Sequence, residues 1–124
     1  MPWVSEELDL RIHYASGTAR WEREVAERYW SGPRLEFGRA QWPTTLHEVA
    51  TELCVSVPAL TSIATRAAYA TVAAIECGQC GQPAAFRTRG ELQKITTARR
   101  HNRPNMARCA KCRTRPASGG DGDV

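Results

Sequence analysis

Up to Ile75, apolar residues recur mostly at helical intervals, and this pattern predicts the organisation of that part of the chain. Leu8, Ile12 and Ala15 share one face behind Ser5-Glu6-Glu7, whose acids suit a first helical turn, so a short helix is expected there. Ser16-Gly17 breaks it, and Thr18 is the expected cap of a second helix running to about Trp30. In that helix Trp21, Val25 and Tyr29 repeat at i, i+4, i+8, with Ala26 and Trp30 beside them. Glu22, Arg23, Glu24, Glu27 and Arg28 take the wet side. The aromatics follow helical spacing and are not interleaved with cations, which reads as core and not as a platform for a ligand. Ser31-Gly32-Pro33 ends the helix. Arg34-Leu35-Glu36-Phe37 is then either a short strand or a connector that lays Phe37 and Trp42 on the core, with Pro43 as its stop.

The segment from Thr45 to Ile63 has the densest local signals. Thr45 and Glu48 sit at the N-cap and N3 spacing of a capping box, and Leu46, Val49, Ala50 and Leu53 form an inward face. Cys54-Val55-Ser56 makes a short turn with Val55 beneath it, and Ser56 caps the next helix. Pro58 lies in that helix's first turn, where its missing N–H costs nothing, and Leu60 and Ile63 point back to the core. Leu60, Ile63, Ala64, Ala67, Ala70, Thr71 and Ala74 extend one face to about Ala74, predicting a long second helix that feeds directly into Cys77.

These residues resemble a bacterial helix-turn-helix in apolar spacing over about twenty positions. The match departs at Cys54, where the family usually has Gly and φ is often positive. Cys54 is read as a small buried residue, not as a metal ligand. The resemblance implies that the helix starting near Val57 is a recognition element, presenting Ser56, Val57, Thr61, Ser62, Thr65 and Arg66 to a DNA groove. The competing reading is a helical hairpin that packs the core or a partner.

Beyond Ile75 the chemistry changes. Cys77-Gly78-Gln79-Cys80 and Cys109-Ala110-Lys111-Cys112 supply four thiolates in two close pairs, the donor set of one structural, tetrahedral Zn²⁺. Disulfides and a redox pair are the alternatives, set aside because nothing resembles a secretory segment and two knuckles exceed what a redox pair needs. His101 would be a ligand only if a knuckle sulfur failed to bind. The knuckles and Gly81 resemble the zinc ribbons of transcription and translation factors, which bind nucleic acid or protein. Between the knuckles, Gln82 to Arg89 is expected as a strand, Gly90 as a turn, and Glu91 to Ile95 as a returning strand or brief helix. The polar stretch from Lys94 to Asn105 reads as an exposed, mobile loop, leading to a strand or turn at Met106 to Cys109.

Charge reinforces this division. Residues 77–116 hold ten Lys or Arg against the single acid Glu91, whereas residues 1–76 hold seven Arg against ten acids. Arg87, Arg89, Lys94, Arg99, Arg100, Arg103, Lys111 and Arg113 are therefore the candidate phosphate contacts, the alternative being a solvated loop in an Arg-rich chain.

No catalytic set is legible: His13, His47 and His101 are scattered, and neither a Gly-rich phosphate loop nor a nucleophile motif is present. The expected protein is not an enzyme. It is soluble and cytoplasmic, with no stretch approaching the roughly 20 apolar residues of a membrane span. The expected fold is mainly α. It comprises a helical domain over residues 1–74 with a helix-turn-helix at 45–66, a zinc ribbon of short hairpins with a basic finger at 75–116, and a disordered tail at 117–124. The expected function is DNA binding by a small transcription-type regulator, a possible homodimer. The alternative is a zinc-ribbon adaptor for a protein partner in a nucleic-acid-processing complex.

Overall fold

A computed structural model describes residues 5–114, so the expected tail at 117–124 lies outside the described residues. Six strands and five helices alternate along it: β1 (Ser5–Glu7), β2 (Leu10–Tyr14), α1 (Arg20–Trp30), β3 (Arg34–Glu36), β4 (Arg39–Gln41), α2 (Leu46–Glu52), α3 (Val57–Ala67), β5 (Ala68–Glu76), β6 (Pro83–Phe86), α4 (Arg89–Arg100) and α5 (Ala110–Thr114). The strands form two antiparallel sheets, ordered β1-β3-β4 and β2-β5-β6. This is a mixed α/β fold, which overturns the mainly α expectation.

The elements that carried explicit sequence signals form where they were expected. α1 buries Ala26, Tyr29 and Trp30, and Ser31 ends it. Its cap is Ala19; the Thr18 hydroxyl donates to the Ala15 carbonyl at 2.6 Å instead. α2 starts with the full capping box: Glu48 N–H donates to Thr45 Oγ1 at 3.0 Å, and Thr45 N–H to Glu48 Oε1 at 2.7 Å. Ser56 caps α3 by accepting the Ala59 N–H at 3.2 Å. Between the two helices Cys54 takes φ 59°, the left-handed conformation, with its side chain exposed and not buried as expected.

Two segments expected as helix are strands. Residues 5–15 hold β1 and β2, and α3 stops at Ala67, where the chain turns extended and runs on as β5. Along β5 burial alternates, with Ala68, Ala70 and Val72 inward and Tyr69 and Thr71 half-exposed, the period of a half-buried strand. β5 is central in its sheet, pairing Leu10↔Val72 and Tyr14↔Ala68 on one side and Ala70↔Phe86 on the other. The alanines that suggested helix packing serve a related purpose: Ala26, Ala67 and Ala68 meet with Ile12 against them, letting α1 approach the α3–β5 junction closely.

The reverse error occurs at α4. Gly90, expected in a turn, lies in its first turn, and most of the expected loop is helix through Arg100. Thr88 caps α4 by accepting the Glu91 N–H at 3.1 Å, and Arg89, Leu92 and Thr96 turn inward. The main core joins Tyr29, Trp30, Val49 and Leu60 to Val72, Ile75, Phe86 and Leu92, so residues before and after Cys77 share one apolar interior.

Candidate metal centre and cationic surface

The first knuckle occupies the β5–β6 connection. Cys77 N–H donates to the Gln82 carbonyl at 2.6 Å, and Gly81 N–H returns to the Cys77 carbonyl at 3.1 Å. Gly81 takes φ 78°, a conformation glycine adopts without steric cost. The chain from Asn105 to Cys109 is hydrogen-bonded alongside. Asn105 Nδ2 donates to the Glu76 carbonyl at 2.8 Å, Gly78 N–H to the Ala107 carbonyl at 2.9 Å, and Ala85 N–H to the Arg108 carbonyl at 2.8 Å. Gly78 is required by this approach, since a Cβ there would stand 2.6 Å from the Asn105 carbonyl oxygen. Cys109 then precedes α5, and Cys112 lies in that helix. The pairs therefore come from a β-hairpin loop and a helix start, not from the two short hairpins expected.

The four sulfurs of Cys77, Cys80, Cys109 and Cys112 all lie within 4.8 Å of one another. Cys80 and Cys109 sulfurs are 3.5 Å apart, and those of Cys80 and Cys112 3.9 Å. A tetrahedral Zn²⁺ with Zn–S of about 2.3 Å holds its sulfurs about 3.8 Å apart, so this spacing fits a metal ion such as zinc. Each knuckle also turns a backbone N–H onto its first sulfur, Gln79 onto Cys77 and Cys112 onto Cys109, both at 3.4 Å. Cys54 and His101 lie outside the cluster.

The sulfurs do not ionise equally among themselves. Burial works against the Cys77 thiolate, but N–H groups of Cys109, Gln79 and Cys80 and the Cys112 thiol outweigh it and bring its pKa down to about 6. The Cys112 N–H, working against burial, holds Cys109 below the ordinary thiol range. The Cys109 sulfur, with burial, pushes Cys112 up to about 12. Cys80 is also raised: the Gln82 amide favours its thiolate, but the neighbouring sulfurs and burial prevail. Four thiols this close hinder one another's ionisation, and a divalent cation is the partner that would let all four bind as thiolates.

α5 is clamped to the body by a bidentate pair. Arg113 Nη1 and Nη2 donate to the Glu91 carboxylate at 2.8 and 3.1 Å, and Nη1 also reaches the Ala85 carbonyl at 2.9 Å. Burial disfavours the Glu91 anion, but Arg113 and the Arg87 N–H hold its pKa below the usual carboxylate range.

The candidate phosphate contacts separate into distinct groups. Arg89 is 4% exposed and not on the surface. Its Nε donates to the Tyr29 carbonyl at 2.6 Å, Nη1 to the Thr44 carbonyl at 2.7 Å, and its guanidinium lies over the Trp42 and Tyr29 rings. Burial lowers its pKa to about 10, which leaves it charged at neutral pH. Arg113 is committed to Glu91, whereas Lys111 is exposed beside the knuckles. Arg87, Lys94, Arg99, Arg100 and Arg103 are exposed; Arg87 lies near the Glu91 carboxylate, and the other four have no acidic partner among the described residues. Arg99 and Arg100 close the end of α4, where the β3–β4 turn at Gly38 reaches the Arg100 side chain.

α3 offers less. Ser56 is spent on the cap, Val57 packs against the core, and Thr65 Oγ1 donates to the Ser62 carbonyl at 3.2 Å. Thr61 is half-buried, and Ser62 and Arg66 are exposed. Arg66 pairs with Glu22 of α1 at 3.3 Å. The sequence reading missed the buried role of Arg89 and the Glu91–Arg113 clamp. The Thr88-x-x-Glu91 spacing, a helix-start signature, was the signal for α4.

Among the described residues no helix is long and apolar enough to cross a membrane. Compared with known proteins, the chain matches no family model, no curated protein and no solved structure.

Proposed function

We propose that the protein binds nucleic acid, with Zn²⁺ in the four-cysteine site ordering a cationic surface that contacts phosphates. The observation that carries this reading is the group Lys94, Arg99, Arg100 and Arg103, exposed and without acidic partners among the described residues, mounted on and around α4 with Arg87 near its start. Long cations on an ordered scaffold neutralise phosphates and release counterions. In this reading the protein is a binding module with no catalytic step, and the metal is structural.

Duplex DNA is the ligand suggested by the α2–α3 pair, whose capped helices and left-handed turn resemble a helix-turn-helix. In that arrangement Ser62 and Arg66 would face a groove, with Arg66 exchanging Glu22 for DNA. A second reading, single-stranded binding, is favoured by the open face of the β2-β5-β6 sheet. His13 stacks on Tyr69 there with ring centres 4.8 Å apart, beside a cavity of about 510 Å³ that Lys111 also lines. Stacked rings next to cations suit unpaired bases.

Fluorescence anisotropy with a duplex and a single strand of equal length, across a salt series, tests both. If two to five phosphates are neutralised on duplex, log K should fall with log salt at a slope of about −2 to −5. Arg99→Ala/Arg100→Ala should remove up to about 2 from that slope. Binding to neither ligand at low salt would reject the nucleic-acid reading and leave the protein-adaptor one.

A further inference from the structure

We infer that the cavity between the start of α2 and the start of α4 is a binding site for a phosphate group. It has a volume of about 320 Å³, and its walls include Gln41, Trp42, Thr44, Arg89, Gly90 and Gln93. Its one cation, Arg89, has no carboxylate opposite it, because no acidic side chain lines the cavity. The neighbouring Arg28 is already answered by Glu52, at 2.7 and 2.9 Å, so the charge of the cavity is that of Arg89.

Two polar atoms of this wall are buried without a hydrogen-bond partner, Arg89 Nη2 and Thr44 Oγ1. The other guanidinium donors are anchored on the Tyr29 and Thr44 carbonyls, so the group cannot swing away to satisfy Nη2 elsewhere. A buried donor on a fixed cation costs free energy until an acceptor arrives, and an anion is the acceptor that also answers the charge.

The third contribution is backbone. Gly90 lies in the first turn of the twelve-residue helix α4, where amides lack a carbonyl four residues earlier and the helix dipole favours negative charge. With no side chain at Gly90, that amide is open to approach. A guanidinium nitrogen, a hydroxyl and a helix-start amide from residues lining one cavity offer three donors, matching the several acceptor oxygens of a phosphate. The space left beside Trp42 admits an ester substituent, so the ligand is inorganic phosphate or a phosphate monoester. This site is separate from the surface cations and holds whether or not the nucleic-acid reading does.

The experiment is a ¹H–¹⁵N NMR titration of the zinc-loaded protein with inorganic phosphate at constant ionic strength, chloride being the balancing anion. The Gly90 amide should shift and saturate. Phenyl phosphate in a second arm distinguishes sources: tighter binding than inorganic phosphate assigns the site to an esterified ligand, equal or weaker binding to the free anion. Arg89 variants risk the fold, so the decisive variant is Thr44→Val, which keeps the backbone carbonyl that anchors Arg89. Thr44→Val should fold like the parent and bind about tenfold more weakly. A Gly90 shift that never saturates, or a Thr44→Val protein that binds phosphate as tightly as the parent, would overturn the site.

Discussion

Replacing Thr96 by Val separates hydrogen bonding from packing at the joint that fixes α4. Thr96 is 3% exposed, and its Oγ1 accepts the Ala40 N–H at 3.0 Å while donating to the Leu92 carbonyl at 2.9 Å. β4 is an edge strand, so that Ala40 N–H faces α4, and no neighbouring strand is there to receive it. Valine keeps the shape of the side chain and removes the acceptor. An orphaned buried N–H costs about 1–3 kcal/mol, and the extra buried methyl returns about 0.8 kcal/mol. The expected net loss is about 0.2–2 kcal/mol, read as a lower midpoint in urea unfolding with an unchanged slope. Native-state hydrogen exchange identifies the cause: the Ala40 amide should lose protection in Thr96→Val and keep it in Thr96→Ser, which retains the hydroxyl. A Thr96→Val protein as stable as the parent, with Ala40 still protected, would mean that the Thr96 hydroxyl does not hold the Ala40 amide.

Two further outcomes follow from the metal half. Gly78→Ala should weaken metal retention under competition by a chelator, because its methyl would displace the Asn105 carbonyl that positions the second knuckle; unchanged retention would show that this approach is not required. Glu91 has a folded pKa below its unfolded value of about 4.3, so its contribution to stability is present above that value and is lost as pH falls through the folded pKa. The stability difference between the parent and Glu91→Gln should therefore be greatest above about pH 5 and shrink in acid, and a difference independent of pH would contradict the clamp.

What could be read from the sequence depended on how specific each signal was. The capping box at Thr45 and Glu48 and the Ser56 cap each demand particular residue types at fixed spacing, and each formed as expected; on the aromatic face of α1, Tyr29 and Trp30 are buried, but Trp21, expected in the core, is 55% exposed. So did the cysteine cluster, because two knuckles leave few other arrangements for four sulfurs. The stretch from Ala68 to Ala74 was misread because alanine is compatible with either period, and pairing with β2 and β6 decided the outcome. β1 and β2 were lost in the same way, their apolar positions being too few to separate a period of two from one near four. α4 was hidden by its polar composition and by Gly90. The Thr88-to-Glu91 spacing outweighed both, with Leu92, Ile95 and Thr96 supplying the packed face. Nothing local marks Arg89 as buried; its cage is assembled from Tyr29, Trp42 and Thr44, all distant in sequence.

Cobalt(II) titration of the thiol-reduced, metal-free chain reads the four-sulfur site itself, since tetrahedral thiolate coordination gives Co²⁺ intense visible bands and sulfur-to-metal charge transfer. Saturation is expected at one equivalent, with displacement of Co²⁺ by Zn²⁺ and loss of the tetrathiolate spectrum in Cys112→Ser but not in Cys54→Ser. Absence of saturable binding, or a spectrum that Cys112→Ser leaves intact, would contradict a four-sulfur metal site.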